Sequence, residues 1–218
     1  MDYPVVVQVS GLHVCAELAP AATPPLSSSG RKGEAERAAD IVLAARVARR
    51  DGDWTQALEQ LFLKHAPALL HFSARFLRND AEAEDLVHDV FVQAAQTVHT
   101  YRGESPFRTW LFSLAINLAR SRQRRWRLED RASRSIAAPK VKRESDPAWN
   151  LEQRELREKV DEAIGALTDA ERETFLLYWF GELTYAEISG ITGLSVSAAK
   201  VRVHRALARL GKMLEGMR

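Results

Sequence analysis

The chain has 218 residues, of which 46% are hydrophobic, and this is enough for two small domains or one larger one. Its single cysteine, Cys15, excludes an internal disulfide and a cysteine-based zinc cluster, as expected in the reducing cytoplasm. No apolar run approaches the roughly 20 residues that span a bilayer, so no membrane insertion is expected. Asp2 is untypical of the positively charged start of a secretory signal.

Residues 1–37 are predicted to form a disordered N-terminal extension. The stretch 19–33 consists largely of alanine, proline, serine and glycine, which offer too little apolar surface to offset the entropy lost on ordering. Two interpretations stay open: either a tail or misplaced start without function, or a regulatory arm.

Residues 38–127 are predicted to form a helical domain because apolar side chains recur there at spacings of three and four. The face that we expect the first helix to bury consists of Ile41, Val42, Ala45 and Ala48.

Local signals predict where the later helices of this domain begin. Asp53, with a glutamine three residues on, resembles a capping signature, and Pro67 predicts a kink in the helix that follows. Asn79 is expected to cap a third helix. Ser105-Pro106 is a strong start signal for a fourth.

Residues 128–150 are predicted to form a flexible linker, since they contain two prolines and many charges without a sustained period. Residues 151–218 are predicted to be helical again. The expected fold class is therefore all-α, with two small helical domains joined by a flexible linker.

The last part of the chain has the signals of a helix-turn-helix. Thr168 with Glu171 and Thr184 with Glu187 form capping boxes, and the second opens a short helix. Gly193 follows as the turn glycine, and the next serine can cap a longer basic helix.

Charge is sorted along the chain and is not in excess. The 31 basic residues nearly balance the 29 acidic ones, yet residues 105–128 and 188–214 contain arginine or lysine and no acid. Separate positive surfaces on a neutral protein indicate two contacts with a polyanion, most simply DNA.

In the last helix one face is predicted to meet DNA. Ser197, Lys200, Val201, His204 and Arg205 share or flank that face, while the apolar side chains at 203, 207 and 210 should pack inward. A recognition helix needs this split, although a solvated basic surface helix would show it too.

The other basic stretch combines arginines with aromatic residues. Unstacked bases can lie on aromatic rings while arginines hold phosphates. The cluster consists of Arg120, Arg122, Arg124 and Arg125, and Asn117 lies one turn before it. Phe107 and Trp110, taken alone, are more often core residues.

An acidic segment precedes this helix. Asp85, His88 and Asp89 could hold a metal, but three ligands at neighbouring helical positions converge poorly. We therefore favour a protein-binding face that mixes these acids with Leu86, Val90 and Phe91.

Three segments resemble the extracytoplasmic-function (ECF) sigma factors, which give bacterial RNA polymerase its promoter specificity. DLVHDVF at 85–91 resembles the polymerase-binding motif DLVQEVF, and YRGESPFRTWL at 101–111 resembles FRGESSFRTWL. Residues 183–210 resemble the family's C-terminal helix-turn-helix. The order and spacing of the three make the resemblance specific.

The resemblance implies a role for each domain. Residues 38–127 would be sigma domain 2, and 151–218 would be sigma domain 4. Core polymerase would be bound through Asp85, Leu86, His88, Asp89 and Phe91. The start-proximal promoter element would be contacted by Tyr101 and Arg102 of the loop that holds a flipped base, by Asn117 and by the arginine cluster. The upstream element would be contacted by Lys200, Val201, Arg202, His204 and Arg205.

A sigma factor needs no catalytic residue, cofactor or metal, because polymerase performs the phosphoryl chemistry. The resemblance implies a cytoplasmic protein with promoter DNA, core polymerase and an anti-sigma factor as partners. Two rivals remain: a helix-turn-helix regulator that binds duplex DNA without polymerase, and a metal hydrolase using Asp85 and His88.

Overall fold

In a computed structural model of the chain, the described residues are 31–132 and 151–215. All regular structure in these two ranges is helical, and it forms two domains, which confirms the predicted fold class. No helix among the described residues is long and apolar enough to cross a membrane. Most of the predicted extension, up to residue 30, and most of the predicted linker, 133–150, lie outside the described residues.

Four helices and a 3₁₀ turn form the N-terminal domain. They are α1 (Arg31–Arg49), α2 (Trp54–Leu77), α3 (Asp80–Thr97), the turn Val98–Thr100, and α4 (Phe107–Ala132). The central helix α2 packs against α1, α3 and α4. The ring of Phe72 lies 5.6 Å from that of Phe76 and 5.4 Å from that of Phe112 on α4. Each large apolar side chain buried in this way contributes about 1.5–3 kcal/mol.

The caps of α2 and α3 differ in how well they were predicted. Asn79 caps α3 as expected, because its side-chain oxygen accepts a hydrogen bond from the backbone N–H of Glu82 at 3.3 Å. The capping prediction for Asp53 is wrong, since its side chain makes no capping hydrogen bond. Helix α2 continues through Pro67 without ending there.

The buried face of α1 is not the one that hydrophobicity predicts. Ile41 and Val42 are 41% and 60% exposed, whereas Asp40 is buried. The Asp40 carboxylate accepts hydrogen bonds from Lys64 at 2.6 Å and from His65 at 3.1 Å, both on α2. Burial raises the pKa of Asp40, but the hydrogen bonds and charges of His65 and Lys64 outweigh it and hold the pKa below its usual value. The hydrogen bonds of the buried Asp40 carboxylate to α2 therefore fix the rotation of α1, which an apolar pattern cannot show.

Two element boundaries also differ from those expected. Helix α1 begins at Arg31, so residues 31–37 are helical although they were assigned to the extension. Helix α4 continues to Ala132, five residues into the predicted linker. Neither addition carries a sustained apolar period that would predict a helix.

Four helices form the C-terminal domain: α5 (Leu151–Gly165), α6 (Asp169–Trp179), α7 (Tyr185–Thr192) and α8 (Val196–Glu215). Both predicted capping boxes are present, at the starts of α6 and α7. Gly193 has φ of +75°, the left-handed conformation that favours glycine, and turns the chain between α7 and α8. Ser195 caps α8 by accepting a hydrogen bond from the backbone of Ala198 at 3.2 Å.

Two leucines of α2 provide a matched test of this packing. Leu61 is fully buried and Leu63 is 60% exposed. Leu61→Ala should lower the free energy of unfolding by about 2–5 kcal/mol, because it removes buried apolar surface and leaves a cavity. Leu63→Ala should change it by no more than about 0.5 kcal/mol. Urea denaturation followed by circular dichroism measures both, and equal losses would contradict this packing.

Candidate nucleic-acid and protein interfaces

The predicted recognition face of α8 is exposed. Four of its polar side chains and one apolar side chain reach solvent: Ser197, Lys200, His204, Arg205 and Val201. Arg202 is half-buried at the edge of this face. The opposite face is buried and consists of Ala199, Val203, Ala206 and Leu210, with Leu207 partly buried against the same core. The helix therefore directs hydrogen-bond donors toward solvent and packs its apolar face against the domain core, as DNA recognition requires.

Contacts from α6 and α7 fix the position of α8. The Arg209 guanidinium donates to Glu171 at 2.8 Å, and Glu171 also closes the capping box of α6. The rings of Tyr178 and Tyr185 stack with centroids 5.1 Å apart. Burial, together with the neighbouring tyrosine, raises the pKa of Tyr178 well above its usual range. Residue His204 lies near Tyr185, with ring centroids 6.4 Å apart.

The acidic helix α3 exposes charge but not the apolar residues predicted beside it. Asp85, His88 and Asp89 are exposed. Leu86 is fully buried and Phe91 is only 6% exposed, so in this structure both pack into the domain's own core and the polymerase contact assigned to them stays a prediction. Both positions follow the three- and four-residue spacing of the core stripe, and the domain's own helices cover them.

Apolar side chains that the sequence analysis did not select are exposed near this acidic face. Phe62 of α2 packs against Phe91 with ring centroids 4.7 Å apart and is still 39% exposed. Val92 of α3 is 44% exposed. Phe62 lies at the apolar spacing of three and four that predicts a core position, so only the packing of α2 on α3 shows that it reaches solvent here.

The loop before α4 is built around Tyr101. Its hydroxyl donates to the carbonyl of Ser105 at 2.7 Å, and its ring lies 5.5 Å from the rings of Phe107 and Trp110. Burial raises the pKa of Tyr101, and the charge of the Asp40 carboxylate adds to it. Tyr101 is therefore held in place rather than extended toward solvent.

The remaining start-proximal residues differ in how accessible they are. Arg102 and Asn117 are exposed, as a base contact requires. Arg124 and Arg125 are exposed too, and Arg124 donates to the hydroxyl of Ser121 at 2.9 Å. Phe107, in contrast, is a buried core residue.

Carboxylates engage Arg120 and Arg122 of the arginine cluster. Arg122 is only 14% exposed; it donates to the backbone carbonyl and the carboxylate of Glu82, at 2.9 and 3.0 Å, and pairs with Asp89. Arg120 donates two hydrogen bonds to Glu173 of α6, at 3.0 and 2.5 Å. Arg122 thereby connects the acidic face of α3 to α4, and Arg120 connects α4 to the other domain.

No group of three or more histidine, cysteine, aspartate or glutamate side chains in the ranges 31–132 and 151–215 is arranged to hold a metal ion. Asp85 and His88 are both exposed side chains on α3. The interfaces described above thus offer charge and hydrogen bonds to macromolecules.

Comparison with known proteins gives two family matches. The family Sigma-70 region 2 matches residues 61–128, and Sigma-70, region 4 matches residues 157–210. RNA polymerase sigma factor CarQ of Myxococcus xanthus is 34% identical over 172 residues, which are 76% of this chain and 92% of CarQ.

Solved structures with the same fold include two sigma factors in complexes. RpoE bound to the anti-sigma factor NepR, from Bartonella quintana, gives a TM-score of 0.64 at 26% identity, over 73% of this chain and 98% of RpoE. CnrH in complex with the cytosolic domain of CnrY gives a TM-score of 0.59 at 28% identity, over 82% of this chain and 98% of CnrH. The two family matches fall on the two helical domains, one from α2 to α4 and the other from α5 to α8.

Proposed function

The chain belongs to the ECF sigma factors of the sigma-70 family, and we propose that its two domains divide promoter recognition between them. It binds core RNA polymerase and directs promoter-specific initiation of transcription. Sigma domain 2 is assigned to the residues up to the end of α4, and sigma domain 4 to those from α5 onward. The observation that carries the division is that each domain exposes its own basic helix surface, one on α4 and one on α8.

The chain acts as an initiation factor and leaves the phosphoryl-transfer chemistry to polymerase. An initiation factor of this kind needs surfaces that bind macromolecules by charge and hydrogen bonds. We assign it no catalytic group, cofactor or metal. Because it works in a complex with polymerase on the chromosome, we place it in the cytoplasm.

Control by an anti-sigma factor completes the function. One structural neighbour of this chain was solved with the anti-sigma factor NepR bound, and another with the cytosolic domain of CnrY bound. A regulator of this kind acts by covering surfaces that polymerase or promoter DNA would otherwise contact.

Polymerase binding is assigned to the exposed charges of α3. Asp85→Arg should weaken binding to core polymerase by about 2 kcal/mol or more, because it replaces an attractive interface charge with a repulsive one. Glu59→Arg makes the same charge change at an exposed site on α2 and should leave binding unchanged. Co-purification with core polymerase measures both variants, and retention of Asp85→Arg at the wild-type level would refute the assignment.

Recognition of the upstream element is assigned to α8. Arg205→Ala should weaken binding of the full chain to a selected promoter by about 1–3 kcal/mol if the guanidinium is bidentate to guanine. Arg202→Ala is the matched control: Arg202 is half-buried at the edge of the face, so a phosphate contact is expected. Its loss should weaken all sequences alike and reduce the salt slope by about 1. Unaltered promoter affinity of Arg205→Ala would show that another element recognises the sequence.

Promoter opening is assigned to Asn117 and the loop at residues 100–105. Asn117→Ala should leave polymerase binding intact but reduce transcription from duplex promoters. Holding a base out of the stack costs a few kcal/mol, and loss of the Asn117 contact to that base should raise this cost. The preferred base in the start-proximal element should change as well. A pre-melted template should restore the opening step only. Normal activity with the same base preference on a randomised element would remove Asn117 from the mechanism.

A further inference from the structure

Three aromatic side chains, one from each of the last three helices, lie in a row from the core of sigma domain 4 to its exposed recognition face. Tyr178 of α6 is 8% exposed. Its ring stacks on that of Tyr185 at the start of α7, with centroids 5.1 Å apart and an interplanar angle of 5°. The half-buried Tyr185 lies beside the exposed His204 of α8, with centroids 6.4 Å apart and an interplanar angle of 31°. We call these three side chains the aromatic row.

The inner part of the aromatic row is held in place from two directions. Tyr178 belongs to the core, and burial together with the neighbouring Tyr185 raises its pKa well above its usual range, so its hydroxyl stays neutral. Tyr185 directly follows Thr184, whose capping box with Glu187 fixes the first turn of α7. The ring of Tyr185 is therefore positioned both by its backbone and by the ring on which it stacks.

Tyr185 also helps to set the angle between α7 and α8. At the far end of α7, the Ser189 hydroxyl donates to the carbonyl of Leu194 at 2.6 Å, and Gly193 turns the chain. Tyr185 lies at the opposite end of this eight-residue helix, about 12 Å away at 1.5 Å per residue. Two contacts this far apart constrain the helix angle more than the turn alone does.

The outer end of the aromatic row is a side chain proposed to contact DNA. An exposed imidazole on a helix can adopt several rotamers, and fixing one of them on binding costs conformational entropy. Aromatic pairs are favourable when their centroids lie about 4.5–7 Å apart, which includes the distance between Tyr185 and His204. The Tyr185 ring therefore restricts the imidazole of His204 before DNA is bound, and the imidazole nitrogens can exchange hydrogen bonds with a base edge.

We propose that Tyr185 is a specificity-determining residue that acts through His204: its ring, stacked on Tyr178, holds the imidazole in the orientation that contacts one base pair of the upstream element. This rests on the proposed function of α8. Tyr185 is a positioning residue and does not itself contact the base. The two residues act as one unit, so loss of either ring relaxes the preference at the same base pair.

Promoter selection by the full chain with core polymerase tests this unit. Templates are randomised over the upstream element and carry a barcode in the transcribed part, so sequencing of the RNA gives the base preference at each position. His204→Ala should abolish the preference at one position. Tyr185→Ala should reduce it at that same position by about 3–10-fold, the factor that corresponds to an aromatic pair. The double variant should match His204→Ala, because coupled residues are not additive.

Two further variants separate the ring of Tyr185 from the rest of its side chain. Tyr185→Phe keeps the ring and should keep the wild-type preference. Tyr185→Leu keeps apolar bulk without a ring and should relax the preference as Tyr185→Ala does, which covers the case of an unstable alanine variant. The matched control is Trp179→Leu, which removes a ring that stacks on Phe175 within α6 and should leave the preference at every position unchanged. Circular dichroism checks that each variant is folded.

The outcomes distinguish the aromatic row from the function of α8. Tyr185→Leu would overturn the proposal if it relaxed a different position, weakened all sequences equally or added to the loss of His204→Ala. Loss of the preference in Tyr185→Phe would assign the effect to the hydroxyl and would overturn it as well. If His204→Ala changes nothing while the wild-type chain selects an upstream sequence, the proposal fails and the function of α8 stands. If the wild-type chain selects no upstream sequence, both fail.

Discussion

Helix α4 is the element on which the rest of the structure depends, because its apolar side forms the core of the first domain and its polar side binds carboxylates of other helices. Its apolar side chains Leu111, Phe112 and Ile116 are fully buried in the first domain. Its polar side chains are engaged by Glu82 of α3 and by Glu173 of α6. These carboxylates reduce the repulsion among the arginines of α4 when no polyanion is bound. These carboxylates also connect α4 to α3, the helix proposed to bind polymerase, and to the second domain.

This arrangement links the three binding events of a sigma factor. Arg122 joins Asp89, a proposed polymerase contact, to α4, the helix proposed to contact the start-proximal strand. Glu187 accepts a hydrogen bond from Thr109 while capping the first helix of the helix-turn-helix. A partner that binds one of these carboxylates or guanidinium groups frees the group with which it was paired. Binding of polymerase, of upstream DNA and of melted DNA can therefore be coupled.

Local chemistry was predictable from the sequence, whereas the pairing of distant charges was not. The capping boxes at Thr168 and Thr184 and the left-handed Gly193 depend on neighbouring residues only, and the structure contains them as predicted. The face of α1 was predicted wrongly because Asp40 is buried through partners on another helix. Leu86 and Phe91 belong to a resembled binding motif and are buried in the core. A sequence motif does not distinguish a side chain that touches a partner from one that packs beneath the binding surface. Glu173 carried no local signal at all; only the packing of the two domains places it on Arg120.

Run-off transcription tests the central claim most directly, that this chain directs core polymerase through two promoter elements contacted by α8 and α4. Purified chain and core polymerase would be incubated with duplex templates randomised over both elements. The account predicts transcripts that require the chain and that enrich one upstream sequence together with one start-proximal sequence. Transcripts no more abundant or selective than those of core polymerase alone, with the folded chain present, would contradict it.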